Sequence, residues 1–196
     1  MKMCKTILAI VTFVVFASGC ALTQTQKQVN YVPSVDSSAI EGLSGAQVSV
    51  GDFTDNRGVE NPALIFHKKN MYNNTMSGAY LAQKPLVEYI KEGVIASLHQ
   101  GGALVESGSL VLRASLEDFD DELIMGFWSS KMRTKMTVKF SLWRGIDQVW
   151  NDTIIGKAMI EKGDFLQQAV TTTTDNVVKE LMNHKEFKAA LKEPQP

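Results

Sequence analysis

Apolar and polar positions alternate along this chain with two different periods, and each change of period marks an element. Val48 and Val50 alternate with Gln47 and Ser49, and Phe53 extends the run, so a strand is expected over 46–53. Thr54-Asp55-Asn56-Arg57-Gly58 is dense in turn residues. The stretch 58–80 is polar and poorly periodic, with asparagines at 70–74, and reads as a long loop. After Pro85, which suits a first helical turn, Leu86, Ile90, Val94 and Leu98 recur at every fourth position beside Val87 and Ile95. Gly101-Gly102 would end that helix. From Leu110 the period falls to two: Leu110, Leu112, Ala114 and Leu116 share one face. A cleaner run follows, with Met132, Thr134, Met136, Val138, Phe140 and Leu142 on one side. Lys131, Arg133, Lys135, Thr137, Lys139 and Ser141 lie on the other, as in a half-buried antiparallel strand.

Arg144-Gly145-Ile146-Asp147 is a two-residue hairpin turn with glycine at its first central position. A strand from Gln148 to Ile160 would then pair Leu142 with Val149, Met136 with Ile155 and Lys139 with Asp152. Asp164 can cap a final long helix whose stripe is Leu166, Val170, Thr173, Val177 and Leu181. The β-branched run Thr171–Thr174 weakens helix propensity there, so packing must compensate. Phe187 and Leu191 allow a short terminal helix. The expected fold is α+β: an antiparallel or mixed β-sheet with two helices packed on one face, a two-layer sandwich.

The first residues follow another logic. Lys2 and Lys5 precede an apolar run from Ile7 to Ala17, broken only by Thr12, and Ser18-Gly19-Cys20 follows. A basic start, a short apolar core and small residues make a secretory signal peptide over 1–19. The run is too short for a bilayer-spanning helix, which needs roughly 20 residues. Ala17-Ser18-Gly19-Cys20 resembles the lipobox of bacterial lipoproteins, with Ala17 in place of the preferred leucine. That resemblance implies cleavage before Cys20 and acylation of its thiol and new amine. The other reading is an ordinary secreted protein cut near Ala-Ser-Gly. Ala21, rather than Asp, follows the cysteine, which in enteric lipoproteins implies sorting to the outer membrane. The expectation is a lipid anchor in the inner leaflet of that membrane, facing the periplasm. Residues 20–44, rich in Gln, Ser, Thr and Asn, read as a flexible tether that could extend to about 80 Å. A single periplasmic domain would occupy 45–196.

Composition narrows the chemistry. The 196 residues are 44% hydrophobic and 21% charged, as in globular proteins. The net charge is −1, and loss of the leader leaves 18 basic against 21 acidic side chains. Such a balance does not suggest a nucleic-acid partner. Cys4 and Cys20 are the two cysteines, so the domain has none for a disulfide, a thiolate metal site or a nucleophile. Hydrolase, phosphate-loop and zinc patterns are missing, and His67, His99 and His184 are scattered. No enzyme activity, cofactor or metal is expected. Asp52–Arg57 reads either as a turn or as oxygen ligands for a hard cation, though its spacing is not that of a calcium loop. Asp118, Asp120, Asp121 and Glu122 read as a solvated acidic loop after a strand.

Two surfaces are candidates for binding. The expected loop 119–130 holds Phe119, Ile124, Met125, Phe127 and Trp128, unusually apolar for a loop. It either folds back over the core or meets a partner protein or lipid. The strand face Lys131, Arg133, Lys135 and Lys139 is either a solvated outer face, partly neutralised by Glu117 and Asp152, or a patch for an anionic lipid or glycan.

The lipobox, the strand into Asp52–Arg57, the helix after Pro85 and the hairpin from Lys131 through Asn176 together resemble the YajG family of enterobacterial outer-membrane lipoproteins. The resemblance covers about 150 residues and rests on element order. It implies a periplasm-facing, non-enzymatic lipoprotein of undefined role in which Cys20 is the acylated residue. The expected function is that of a structural or accessory module that binds another envelope protein. A weaker resemblance is to auxiliary lipoproteins of ABC-type envelope transporters, which implies handling of lipid or another amphipathic ligand.

Overall fold

The computed structural model describes residues 23–70, 72, 74–105, 108–125 and 130–192. Among these residues, eight strands form two sheets, and three helices pack with them. The larger has five strands in the order β5-β2-β6-β7-β8, comprising Leu104–Val105, Gln47–Asp55, Leu110–Met125, Ser130–Arg144 and Asp147–Ile160. β2 pairs in parallel with β5 and β6, and β6, β7 and β8 run antiparallel. The smaller has the order β1-β4-β3, comprising Gln24–Lys27, Thr75–Ala82 and Leu64–Lys69. The helices are α1 (Leu86–Gln100), α2 (Phe165–Asn183) and α3 (Lys185–Lys192). The expected α+β sandwich is the fold of this chain, with a second sheet added.

Alternation explains the large sheet. Met136, Val138, Phe140 and Leu142 of β7 are fully buried beneath α2 and α1, as are Leu112 and Leu116 on β6. The helices present matching stripes: Leu86, Ile90, Val94 and Leu98 from α1, and Val170, Val177, Val178 and Leu181 from α2. Pro85 stands at the N-cap of α1, and Gly102 takes the left-handed conformation (φ +77°) after its last turn. Asp164 caps α2 by accepting from the Gln167 amide at 3.1 Å. Within the threonine run, Thr173 is buried and its hydroxyl meets that of Thr134 on β7 at 2.6 Å, so the packing that must offset poor propensity includes a polar tie. α2 crosses β8 at Gly156, where a Cβ would lie 2.5 Å from Val177 Cγ2 and 2.7 Å from the Thr173 carbonyl.

The structure corrects four expectations. Residues 24–44 are not a free tether: Gln24–Lys27 form β1, and Val29, Ala39, Ile40 and Leu43 are buried. The segment straps across the helices through polar ties. Gln83 accepts from the Val29 amide (2.7 Å) and donates to its carbonyl (2.8 Å), and Gln167 does the same for Asn30 (3.0 and 2.6 Å). The Tyr31 hydroxyl donates to Asp175 at 2.8 Å, and Lys179 pairs with Asp36 at 2.7 Å. Secondly, the stretch 58–80 is not one loop but holds the β3–β4 hairpin. Leu64, Ile65 and Phe66 are consecutively buried, so no period of two is visible, and the Asn70 carboxamide closes the turn by accepting from the Tyr72 and Asn74 amides. Thirdly, 119–125 is strand rather than loop. A bulge at Glu117 shifts the alternation by one, so Phe119 continues the buried face of Leu116. Lastly, the β7–β8 turn is as expected, with Gly145 at φ +60°, but a bulge just beyond it moves the register by one residue. Leu142 meets Trp150, Met136 meets Gly156 and Lys139 meets Thr153. This places Trp150, Ile154, Ala158 and Ile160 inward and leaves Ile155 and Met159 exposed.

Candidate functional site

The small sheet meets the far half of the β6–β7 hairpin along a seam. The Phe66 ring on β3 packs on Phe119 with centroids 4.7 Å apart. One step further, the Lys69 ammonium donates to the carboxylate of Asp121 at 3.0 Å and to its carbonyl at 2.9 Å. Two cavities open along the seam, and this ion pair borders both. One, of about 310 Å³, lies among Arg57, Leu64, Thr75, Asp118 and Phe119. The other, of about 250 Å³, is mainly apolar and lies among Phe66, Tyr80, Leu123, Met132, Phe165 and Leu166.

Arg57 shapes the first cavity. Its guanidinium holds Asp55 in a fork (Nη2–Oδ2 2.6 Å, Nε–Oδ1 2.9 Å) and donates to the carbonyls of Leu64 (2.8 Å) and Pro62 (3.1 Å). Both charged side chains are more than nine-tenths buried. Asp55, at the end of β2 rather than in the expected turn, is thus taken up by an internal ion pair.

The acidic cluster lies within β6, not in a loop after it, and apart from Asp121 it faces the bases of β7. Lys135 pairs with Asp118 at 3.5 Å, Arg133 with Glu122 at 2.7 Å, and Lys131 with Glu161 at 2.5 Å. Burial, and after it the adjacent Asp118 carboxylate, raises the Asp120 carboxyl above its ordinary range. The basic stripe anticipated from the sequence is therefore one half of an alternating charged face. Asp152 does not reach Lys139: it lies 2.9 Å from His184, whose ring also packs on Trp150.

Of the anticipated binding residues, Lys131, Arg133 and Lys135 are on that outer face. Phe127, Trp128 and the proposed anchor Cys20 lie outside the described residues. Met125 ends β6 opposite Ser130, and its side chain is likewise outside them. The apolar cavity was not anticipated, because its lining comes from five elements and the decisive parity of Phe119 and Leu123 depends on the Glu117 bulge.

The fold is shared with the crystal structure of a DUF330 family protein from Xanthomonas campestris. That protein is 13% identical to this chain, and the match covers 81% of this chain and 91% of that one at a TM-score of 0.52. More distant matches are a minor lipoprotein from Acinetobacter baumannii (7% identity, 74% and 91% covered, TM-score 0.40) and a lipoprotein from Neisseria meningitidis (10%, 67% and 97%, TM-score 0.38). No family model matches the sequence, and neither does any curated protein.

Proposed function

We propose that this chain is a non-enzymatic envelope lipoprotein, anchored through acylated Cys20 in the inner leaflet of the outer membrane. It faces the periplasm and serves there as an accessory binding module of the YajG type. The observation that carries this reading is the leader ending in Ala17-Ser18-Gly19-Cys20, followed within a few residues by the first strand of the fold. Durable attachment needs more than one acyl chain, which the lipobox chemistry would supply. The test is metabolic labelling with an alkyne fatty acid. Label is expected on the parent chain and lost in Cys20→Ser, with the labelled protein in the outer-membrane fraction. An unlabelled parent chain would sink the anchor, and recovery in the inner membrane would sink the sorting.

The apolar cavity between Phe66, Tyr80, Leu123 and Met132 supports a second reading, in which the chain handles a lipid or another amphipathic ligand for a transport system. In-cell photo-crosslinking from positions 128 and 135 separates the two. One dominant protein adduct favours the accessory role, and lipid adducts from folded protein favour ligand handling.

A further inference from the structure

The chain enters its fold at a defined end. β1 runs parallel to β4, with Gln24 beside Ala79 and Lys27 beside Ala82, so the chain enters from the side of the β3–β4 turn, four residues along β4 from Thr75. The Phe66–Phe119 and Lys69–Asp121 contacts lay β3 along β6 in the same sense. The β3–β4 turn and the far end of β6 therefore point one way, and the β7–β8 turn at Gly145-Ile146 points the other.

Only residues 21–23 separate Cys20 from β1. Fully extended, the chain from Cys20 to Gln24 reaches roughly 14 Å. A lipid headgroup layer is roughly 5–8 Å thick on each side of the bilayer. A chain acylated at Cys20 thus holds this end of the fold within a short distance of the membrane surface. That end exposes Tyr72 (76%), Leu123 (41%) and Met159 (47%). Three of the cations there are engaged in ion pairs: Lys69 with Asp121, Lys131 with Glu161, Arg133 with Glu122. A tyrosine with an apolar body and a polar tip suits the headgroup level.

We infer that the end of the fold bearing Tyr72, Leu123 and Met159 rests on the phospholipid bilayer that holds the Cys20 anchor, through apolar contact rather than basic charge. The inference rests on the reading of Cys20 as the acylated residue. The test uses the acylated full chain on vesicles of phosphatidylethanolamine and phosphatidylglycerol. Acylation blocks the one cysteine left after leader removal, so Tyr72→Cys, Leu123→Cys and Ile146→Cys each add a single reactive thiol for an environment-sensitive fluorophore. Ile146, 91% exposed at the opposite end, is the reference position. Flotation with vesicles comes first, and its failure would overturn the anchor itself. In floated protein, quenching by nitroxide-bearing lipids is expected to be several-fold stronger at 72 and 123 than at 146, and unchanged in phosphatidylcholine vesicles. Equal quenching at all three positions would overturn the docked orientation while leaving the anchor standing. Loss of quenching in the neutral vesicles would overturn the apolar contact. The Tyr72 variant, in a surface turn, decides the matter if the Leu123 variant misfolds.

Discussion

The two sheets of this molecule are held by different forces. The five-stranded sheet buries most of one side-chain row of β6, β7 and β8, and its centre, around Phe140 and Leu142, is sealed from water. The three-stranded sheet sends Ile65, Phe66 and Ala82 into the same core, but its seam with β6 is fixed at points. One aromatic pair and one ion pair bind β3 to β6, the Arg57 fork ties down the carbonyls of Pro62 and Leu64, and Gln83 holds the strap beyond β1. Dense apolar burial gives a layer that resists change, whereas a few directional contacts leave a seam with space in it. Two cavities lie on that seam; a larger one, of about 380 Å³, lies elsewhere, among Ser44, Gln47, Leu110 and Leu191. Tight packing along the long strands and open space along the seam thus coexist in one fold.

Substitutions can break this contrast one element at a time. The largest effect is expected from Phe140→Ala, which empties the centre of the large sheet and should cost about 3–5 kcal/mol in global unfolding by denaturant. If it costs no more than a surface change, the large sheet is not the stability core. Arg57→Ala leaves Asp55 buried without its partner and should cost about 3 kcal/mol. Hydrogen exchange should show the loss in β1, β3 and β4, with β6–β8 still protected. Uniform loss of protection would mean that the sheets unfold as one unit. Tyr31→Phe removes the donor to Asp175 and should cost about 1 kcal/mol, read as faster exchange over residues 28–44. The smallest effect sharpens the electrostatics of the seam. A carboxyl raised in the fold binds its proton more tightly there than in the unfolded chain. Its contribution to stability is therefore complete at low pH and lost as pH rises through the folded value. Asp120→Asn should raise Tm slightly at neutral pH, and the two melting curves should converge below the ordinary carboxylate range.

The same contrast governs what could be read from residues alone. β7 was legible over most of its length, because a strand with one face under helices and one face in water must alternate. α1 and α2 were legible from their stripes for the same reason. The β8 register was missed by one residue, since the turn chemistry at Gly145 is local but the bulge beyond it answers to the packing of Trp150 and Ile154. β1 is Gln-Thr-Gln-Lys, with no apolar signal, and becomes a strand only because β4 offers an edge. The buried positions of the strap are irregularly spaced, and their partners lie more than forty residues away. The apolar cavity has no local signature for the same reason.

The strap also fixes an order of events. Residues 28–44 are among the first of the domain to be made, yet several groups that fasten them, Gln167, Asp175, Lys179 and Lys188, are among the last. The strap therefore cannot be fully fastened until almost the whole chain is present. On the proposed reading of Cys20, closure of the strap shortens the link between the anchor and the fold.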